Sequence, residues 1–471
     1  MNKSLYFSFS FCFLLITAQG QKLVSAEFLN SASAQILGFV NPAAQYDVDT
    51  YKITYNTTDI DGSPTIASGA IMIPVNSGCD MFGLVSYSHG TVLEKDNVPS
   101  HNNSESLIPK IMASAGRIAT APDYLGLGIN AGLHPYVHAE SEATAAIDLM
   151  RAAREFVNDS LTVSLNGEVF LTGYSQGGHA AMATAKYIQD NNLLSEFDIK
   201  AVGPASGPYN MSGSQSAVLL SNQPYSNPGY VCYLLFAYNR VYGNIFTNYS
   251  DILKAPYDQT IPPYFDGTYP MDSVNDKLPM VLSDFIQDSV IANLNATASS
   301  QNHPIWRALA DNDNYDWTPS FPMELYYCTQ DEQVNFQNSL VARDSMNAKG
   351  AASVVAVNNG ATTHGGCVTP SITKANAFFN VEGTACVNIG IDERMRKGLV
   401  SIYPNPAQNS ISISGLEEEA EVAIFDMQGR FIKSALVKVH SPMSISELEK
   451  GSYVLRITEK GVVGTSYLAV Y

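Results

Sequence analysis

The chain is most constrained by one short run, Gly173-Tyr174-Ser175-Gln176-Gly177-Gly178. It follows an apolar stretch at 169–171 that reads as a strand, and it precedes a small-residue stretch at 178–189 that reads as a helix. A Ser between glycines at such a junction predicts a sharp strand-to-helix turn. The two backbones approach closely because side chains are missing, and the Ser hydroxyl is lifted above the sheet. The helix N-terminus turns backbone N–H groups and the positive end of its dipole toward the same point, which suits charge developing on an oxyanion. The spacing therefore predicts Ser175 as a nucleophile and the Gln176 N–H as an oxyanion donor. The plain alternative is a Gly-rich turn in any parallel-sheet domain; strand, helix and third glycine together favour the nucleophile.

The rest of the chain supports such a scaffold. Segments 47–57, 69–74, 82–88 and 117–121 read as strands, and 139–157 as a helix with Ala143, Ile147, Met150 and Ala153 on one buried face. Glu140 and Glu142 fall in its first turn, where negative charge is favoured. Strand character returns at 323–327 and 352–357. Strands interleaved with helices predict the α/β class, a mostly parallel sheet covered on both faces. The stretch at about 205–310 is rich in Tyr, Asn, Pro and Leu and lacks that alternation. It is expected to be an inserted helical cap, the simpler alternative being further core helices and long loops. From 396 to 471 the helical signals stop and alternating runs at 411–413, 422–425, 453–457 and 467–470 predict a small β-sandwich.

A Ser nucleophile needs a base and an acid that orients the base. His364, in Thr362-Thr363-His364-Gly365-Gly366 after the strand at 352–357, is the best base. His179 is expected to pack on its helix, His303 lies in the cap, His440 in the C-terminal module, and His134 and His138 read as pocket or structural residues. Asp331 leaves the strand at 323–327 by four residues and is the expected acid, with Glu332 its nearest rival and Asp316 a distant one. His89-Gly90-Thr91 ends an earlier strand, so an N–H of Gly90 or Thr91 is expected to complete the oxyanion hole, with His89 bracing the loop.

Lys3, the apolar run 5–16 and Ala18-Gln19-Gly20 predict a signal peptide over residues 1–20, cut before Gln21. That run is shorter than the roughly 20 residues that span a bilayer, and no later stretch replaces it, so no integral membrane segment is expected after processing. Export fits the cysteines: once Cys12 is removed, Cys79, Cys232, Cys328, Cys367 and Cys386 allow two disulfides and one free thiol, among other arrangements. A Cys328–Cys367 bridge would staple the loops of Asp331 and His364, and Cys367–Cys386 is equally open. A net charge of −18, from 26 Lys and Arg against 44 Asp and Glu, argues against a nucleic-acid partner. Asp311-Asn312-Asp313-Asn314-Tyr315-Asp316 lacks the glycine and final Glu of a calcium loop and reads as a solvated acidic turn. His-Glu-x-x-His, paired Cys-x-x-Cys and phosphate-loop patterns are absent, so neither a metal nor another cofactor is expected.

Gly173 to Gly178, Ala121-Pro122-Asp123-Tyr124-Leu125-Gly126, the Asp331 loop and Thr363-His364-Gly365 together resemble the secreted lipase/esterase branch of the α/β-hydrolases, over most of residues 40–390. The resemblance implies a catalytic domain at 21–395, a Ser175–Asp331–His364 triad, a cap shaping the acyl site, and a small-molecule or lipid ester as substrate. Related members cleave peptides or plant-polymer esters, so a serine peptidase of the same fold is one rival and a non-catalytic surface-binding protein another. Ile402-Tyr403-Pro404-Asn405-Pro406, Phe425-Asp426-Met427-Gln428-Gly429-Arg430 and Gly451-Ser452-Tyr453-Val454-Leu455-Arg456-Ile457 resemble the sorting domain of the Bacteroidetes type IX secretion route. That resemblance implies an export machinery as partner and a destination outside the cell or on its surface.

Overall fold

A computed structural model describes residues 20–41, 44–294, 301–386, 401–416, 418–426, 431–439, 441–459 and 462–471. The expected signal peptide, with Cys12, His440 and the expected boundary at 395/396, lies outside the described residues, Gly20 apart. The chain divides into two compact units, Met1–Cys386 and Val387–Tyr471.

The first unit is built on a nine-stranded sheet. Its strands are β1 (Leu23–Ala32), β2 (Asp47–Thr58), β3 (Pro64–Val75), β4 (Met81–Ser88), β5 (Ile118–Pro122), β6 (Ser164–Tyr174), β7 (Asp198–Ala205), β8 (Met323–Tyr327) and β9 (Val354–Asn358). They lie in the order β1-β2-β3-β5-β4-β6-β7-β8-β9. From β5 to β9 the neighbours are parallel, while β1, β2 and β3 form an antiparallel flank joined to β5. Composition follows position. Every residue of β5 is buried, as a strand covered on both faces requires, whereas β2 largely alternates buried with half-buried or exposed residues.

β1 and β7 were not among the expected strands. β1 is largely exposed and has no apolar alternation; it is held by its ladder to β2. β7 carries Lys200, Gly203 and Pro204, which weaken any strand signal, and it is fixed between β6 and β8. β6 begins five residues before the apolar stretch at 169–171, because Ser164 and Leu165 already pair with Met81 and Phe82 of β4.

Helices α1 (Leu107–Ser114), α2 (Ala139–Ser160), α3 (Gln176–Asp190), α4 (Gly229–Tyr242), α5 (Pro304–Asp311), α6 (Gln337–Ala348) and α7 (His364–Glu382) matter for the site. α2 buries Ala143, Ile147, Met150 and Ala153, the face read from its spacing. α7 packs Phe379 on Phe170 of β6, ring centroids 5.0 Å apart. Between Ala205 and Met323 the chain leaves the sheet and builds short helices around a second apolar core, shared with Leu93, Tyr136 and Val137, with Leu235, Leu253, Phe285 and Ile286 all at most 2% exposed.

Two disulfides close this unit, Cys79–Cys386 and Cys328–Cys367, and Cys232 is a buried free thiol. The second bridge spans 39 residues, for which loop-closure entropy gives about 4 kcal/mol. A Cys328→Ala/Cys367→Ala variant is therefore expected to lose roughly 2–4 kcal/mol in a denaturant titration. Unchanged stability would mean that the surrounding packing alone holds the two loops.

In the second unit a three-stranded sheet and a four-stranded sheet are each antiparallel. Ile411 and Ile413 from one and Val422, Ile424, Leu455 and Ile457 from the other share a single core.

Candidate active site

β6 ends at Tyr174 and α3 begins at Gln176, leaving Ser175 at φ 60° and ψ −121°. A non-glycine residue there is strained by about 1–3 kcal/mol and persists only where its surroundings enforce it. The Ser175 N–H donates to the carbonyl of Ala205 at 3.0 Å. The glycines make the turn possible: a Cβ on Gly177 would lie 1.9 Å from the Ser88 carbonyl oxygen, and one on Gly173 would lie 2.1 Å from that of Gly177.

Asp331 comes from the loop after β8, and His364 opens α7 after the neighbouring strand β9. The His364 Nδ1 lies 2.7 Å from Asp331 Oδ2, with side chains 8% and 2% exposed. The other Asp331 oxygen accepts the N–H groups of Gln333 (3.0 Å) and Val334 (2.8 Å). Glu332, the rival acid, takes a different part: its Oε2 accepts the backbone N–H of His364 at 3.0 Å, at the first residue of α7. Asp316 lies elsewhere, bonded to Ser345 and Lys349. Tyr174, next to the nucleophile candidate, donates its hydroxyl to the His364 carbonyl and packs its ring 5.0 Å from the imidazole.

The loop after β4 passes the same point. A Cβ on Gly90 would lie 3.9 Å from Ser175 Cβ and 3.6 Å from the Tyr174 carbonyl oxygen. Thr91 Oγ1 lies 2.9 Å from the Tyr136 hydroxyl. His89 is fully buried, its Nδ1 2.8 Å from the Gly90 carbonyl oxygen and its ring 4.4 Å from that of Tyr124.

Ser175 and Gln176 line a cavity of about 50 Å³ whose other walls are mostly apolar, among them Met211, Tyr225, Tyr230, Leu234 and Leu309, with Gln215 and Ser216 as polar exceptions. Met211 to Leu309 belong to the segment between β7 and β8. Burial pushes the hydroxyls of Tyr136 and Tyr225 upward and that of Tyr230 to about 12, so these walls carry no charge at neutral pH.

One feature of the site was invisible in the sequence. Beneath Gln176 lies a buried polar group: Glu142 and His179 are 0% exposed, His134 1% and Gln176 2%. Asn312 and Asn314, read as parts of a solvated turn, are 1% and 3% exposed and point inward. Asn312 accepts the N–H of Ala139 at 2.7 Å, and Asp313 accepts the Ser212 hydroxyl at 2.5 Å. A turn rich in Asp and Asn looks solvated until its partners, the start of α2 and the Ser212 loop, are known. Among the described residues no group of three or more His, Cys, Asp or Glu is placed to hold a metal ion.

Comparison with known proteins supports both units. Residues 401–470 match the family model of the secretion system C-terminal sorting domain. The rice cell wall degrading esterase LipA of Xanthomonas oryzae is 28% identical, with a TM-score of 0.69 over 77% of this chain and 97% of that one. A putative hydrolase of Legionella pneumophila is 27% identical, with a TM-score of 0.71 over 77% of this chain and 98% of that one. Candida antarctica lipase A in its closed state shares the fold at 17% identity and a TM-score of 0.58, over 79% of this chain and 85% of that one. No curated protein matches the chain by sequence. No helix of the described residues is long and apolar enough to cross a membrane.

Proposed function

We propose that this protein, a carboxylic ester hydrolase of the α/β-hydrolase lipase/esterase family sent out of the cell by a type IX sorting domain, works through Ser175, His364 and Asp331 and an acyl-enzyme. The observation that carries this reading is the 2.7 Å His364–Asp331 pair held against Tyr174, one residue from a strained Ser at a strand-to-helix turn.

In the first half-reaction His364 Nε2 takes the Ser175 proton as Oγ bonds to the ester carbonyl carbon. The carbonyl oxygen becomes an oxyanion and accepts hydrogen bonds from the Gln176 N–H and from an N–H of Gly90 or Thr91. The carbon–oxygen bond to the alcohol then breaks, and the imidazolium gives its proton to the departing alkoxide. Asp331 holds the imidazole with Nδ1–H toward its carboxylate and stabilises the positive charge. In the second half-reaction water takes the place of Ser175, loses its proton to His364, and releases the carboxylic acid and the free hydroxyl.

The apolar cavity beside Ser175 suits the acyl group, and its size sets the expected chain length. At about 50 Å³ it is smaller than the roughly 150 Å³ hole that takes a benzene ring. Each methylene that fits contributes up to about 0.8 kcal/mol, near fourfold in kcat/KM, and each that does not gains nothing unless a wall residue moves. Across p-nitrophenyl esters from acetyl to palmitoyl, kcat/KM is expected to peak at four carbons or fewer and to fall at least about tenfold by eight. A peak at long chains would mean that the cavity opens on binding. Turnover of peptide amides with none of esters would overturn the substrate class.

A further inference from the structure

The buried polar group beneath the turn grips the Gln176 side chain by its amide nitrogen, while the carboxamide oxygen is buried with no partner among the described residues. The Gln176 carboxamide nitrogen lies 2.9 Å from Glu142 Oε1 and 2.7 Å from His134 Nε2, so both its hydrogens have acceptors. His134 is able to accept there because its Nδ1 faces the Leu125 carbonyl oxygen at 2.8 Å and carries the proton. Burial fits this neutral form, pushing the His134 pKa down to about 3.

The second Glu142 oxygen lies 2.7 Å from His179 Nδ1, and His179 Nε2 lies 2.9 Å from the Asn312 carbonyl oxygen. The same Nε2 lies 2.9 Å from the Asn314 side-chain amide nitrogen. Burial alone would lower the His179 pKa, but the Glu142 charge and hydrogen bond outweigh that and leave it raised. Gln176 and His179 stand three residues apart in the first turn of α3, on one face. A single carboxylate from the first turn of α2 thus clasps both.

We propose that Glu142, His179 and His134 are positioning residues: they fix the Gln176 carboxamide and, through it, aim the Gln176 backbone N–H at the oxyanion. The proposal rests on Ser175 as nucleophile and Gln176 N–H as donor. Stability alone is a weak reason for such a group, because apolar packing of the same volume commonly holds a fold as well as a buried ion pair does. Hydrogen bonds to both hydrogens of the Gln176 carboxamide instead fix its orientation, and an oxyanion donor acts only when aimed where the charge develops. The same network reaches Asn312, whose side-chain amide donates to the Tyr242 hydroxyl of α4 at 2.9 Å, so the first turn of α3 is fixed against the segment that walls the cavity.

The test compares wild type with Gln176→Met, which keeps the backbone N–H and nearly the same volume, and with Glu142→Gln. Steady-state hydrolysis of p-nitrophenyl butyrate is measured together with inhibition by phenylboronic acid, whose tetrahedral adduct on Ser175 places an oxygen in the oxyanion hole. In both variants kcat is expected to fall about 10- to 100-fold, part of the full value of one donor. KM should stay within about twofold, as when a transition-state interaction is lost, and the boronate inhibition constant should rise by the same factor as kcat falls. A folded variant with wild-type kcat, or one whose loss lies in KM while boronate binds as before, overturns the proposal. If Glu142→Gln gives no cooperative melting transition, Gln176→Met decides alone. Ser175→Ala run in parallel separates the two readings: turnover retained there overturns the nucleophile assignment itself.

Discussion

Ser175→Ala is expected to lower kcat for p-nitrophenyl butyrate by about 10⁴- to 10⁶-fold, with residual turnover supplied by the oxyanion donors and binding alone. The size follows from chemistry. Without Oγ no acyl-enzyme forms, and water must attack from a site shaped for a covalently held nucleophile. The fold is expected to survive, because alanine has no new atom to place and inherits the same φ of 60° that serine already tolerates. Thermal melting of the two proteins should therefore nearly coincide, and a fluorophosphonate probe should label only the wild type. A variant that melts normally and turns over esters at the wild-type rate would remove Ser175 from the mechanism.

What the sequence allowed to be read and what it hid divide along a physical line. The turn at Ser175 was legible because a strand-to-helix junction this tight demands glycines: Gly177 stands where any Cβ would strike the Ser88 carbonyl. The core helix α2 was legible from period alone, with Ala143, Ile147, Met150 and Ala153 all buried. β1 and β7 were not, since neither has a pattern of its own and both are strands because of their neighbours. Glu142 shows the same limit at the level of one residue. In sequence it is a favourable charge at a helix N-terminus, and only the packing of α2 against α3 turns it into a buried carboxylate between Gln176 and His179. The cysteines behave likewise: spacing left Cys328–Cys367 and Cys367–Cys386 open, and folding brings Cys386 to Cys79, 307 residues away.

The adjacent acids Asp331 and Glu332 give the sharpest contrast, because both bond to His364 by different atoms. Asp331 meets the ring nitrogen Nδ1, whereas Glu332 meets the backbone N–H. In Asp331→Asn the carboxamide oxygen keeps the bonds to the Gln333 and Val334 N–H groups, so its amide nitrogen must face Nδ1. That nitrogen donates, Nδ1 becomes an acceptor, and the ring proton moves to Nε2, where no base remains to take the Ser175 proton. The expected loss in kcat is about 10⁴-fold, as for a triad aspartate made neutral with its geometry intact. Glu332→Gln leaves the imidazole tautomer alone and replaces one acceptor oxygen by another at the start of α7, so its expected cost is less than about tenfold. Kinetics of the two variants, with melting curves to show that both fold, decide which acid orients the base. The reverse order of effects would place Glu332 in the triad and make the 2.7 Å Asp331 contact a bond that shapes the loop.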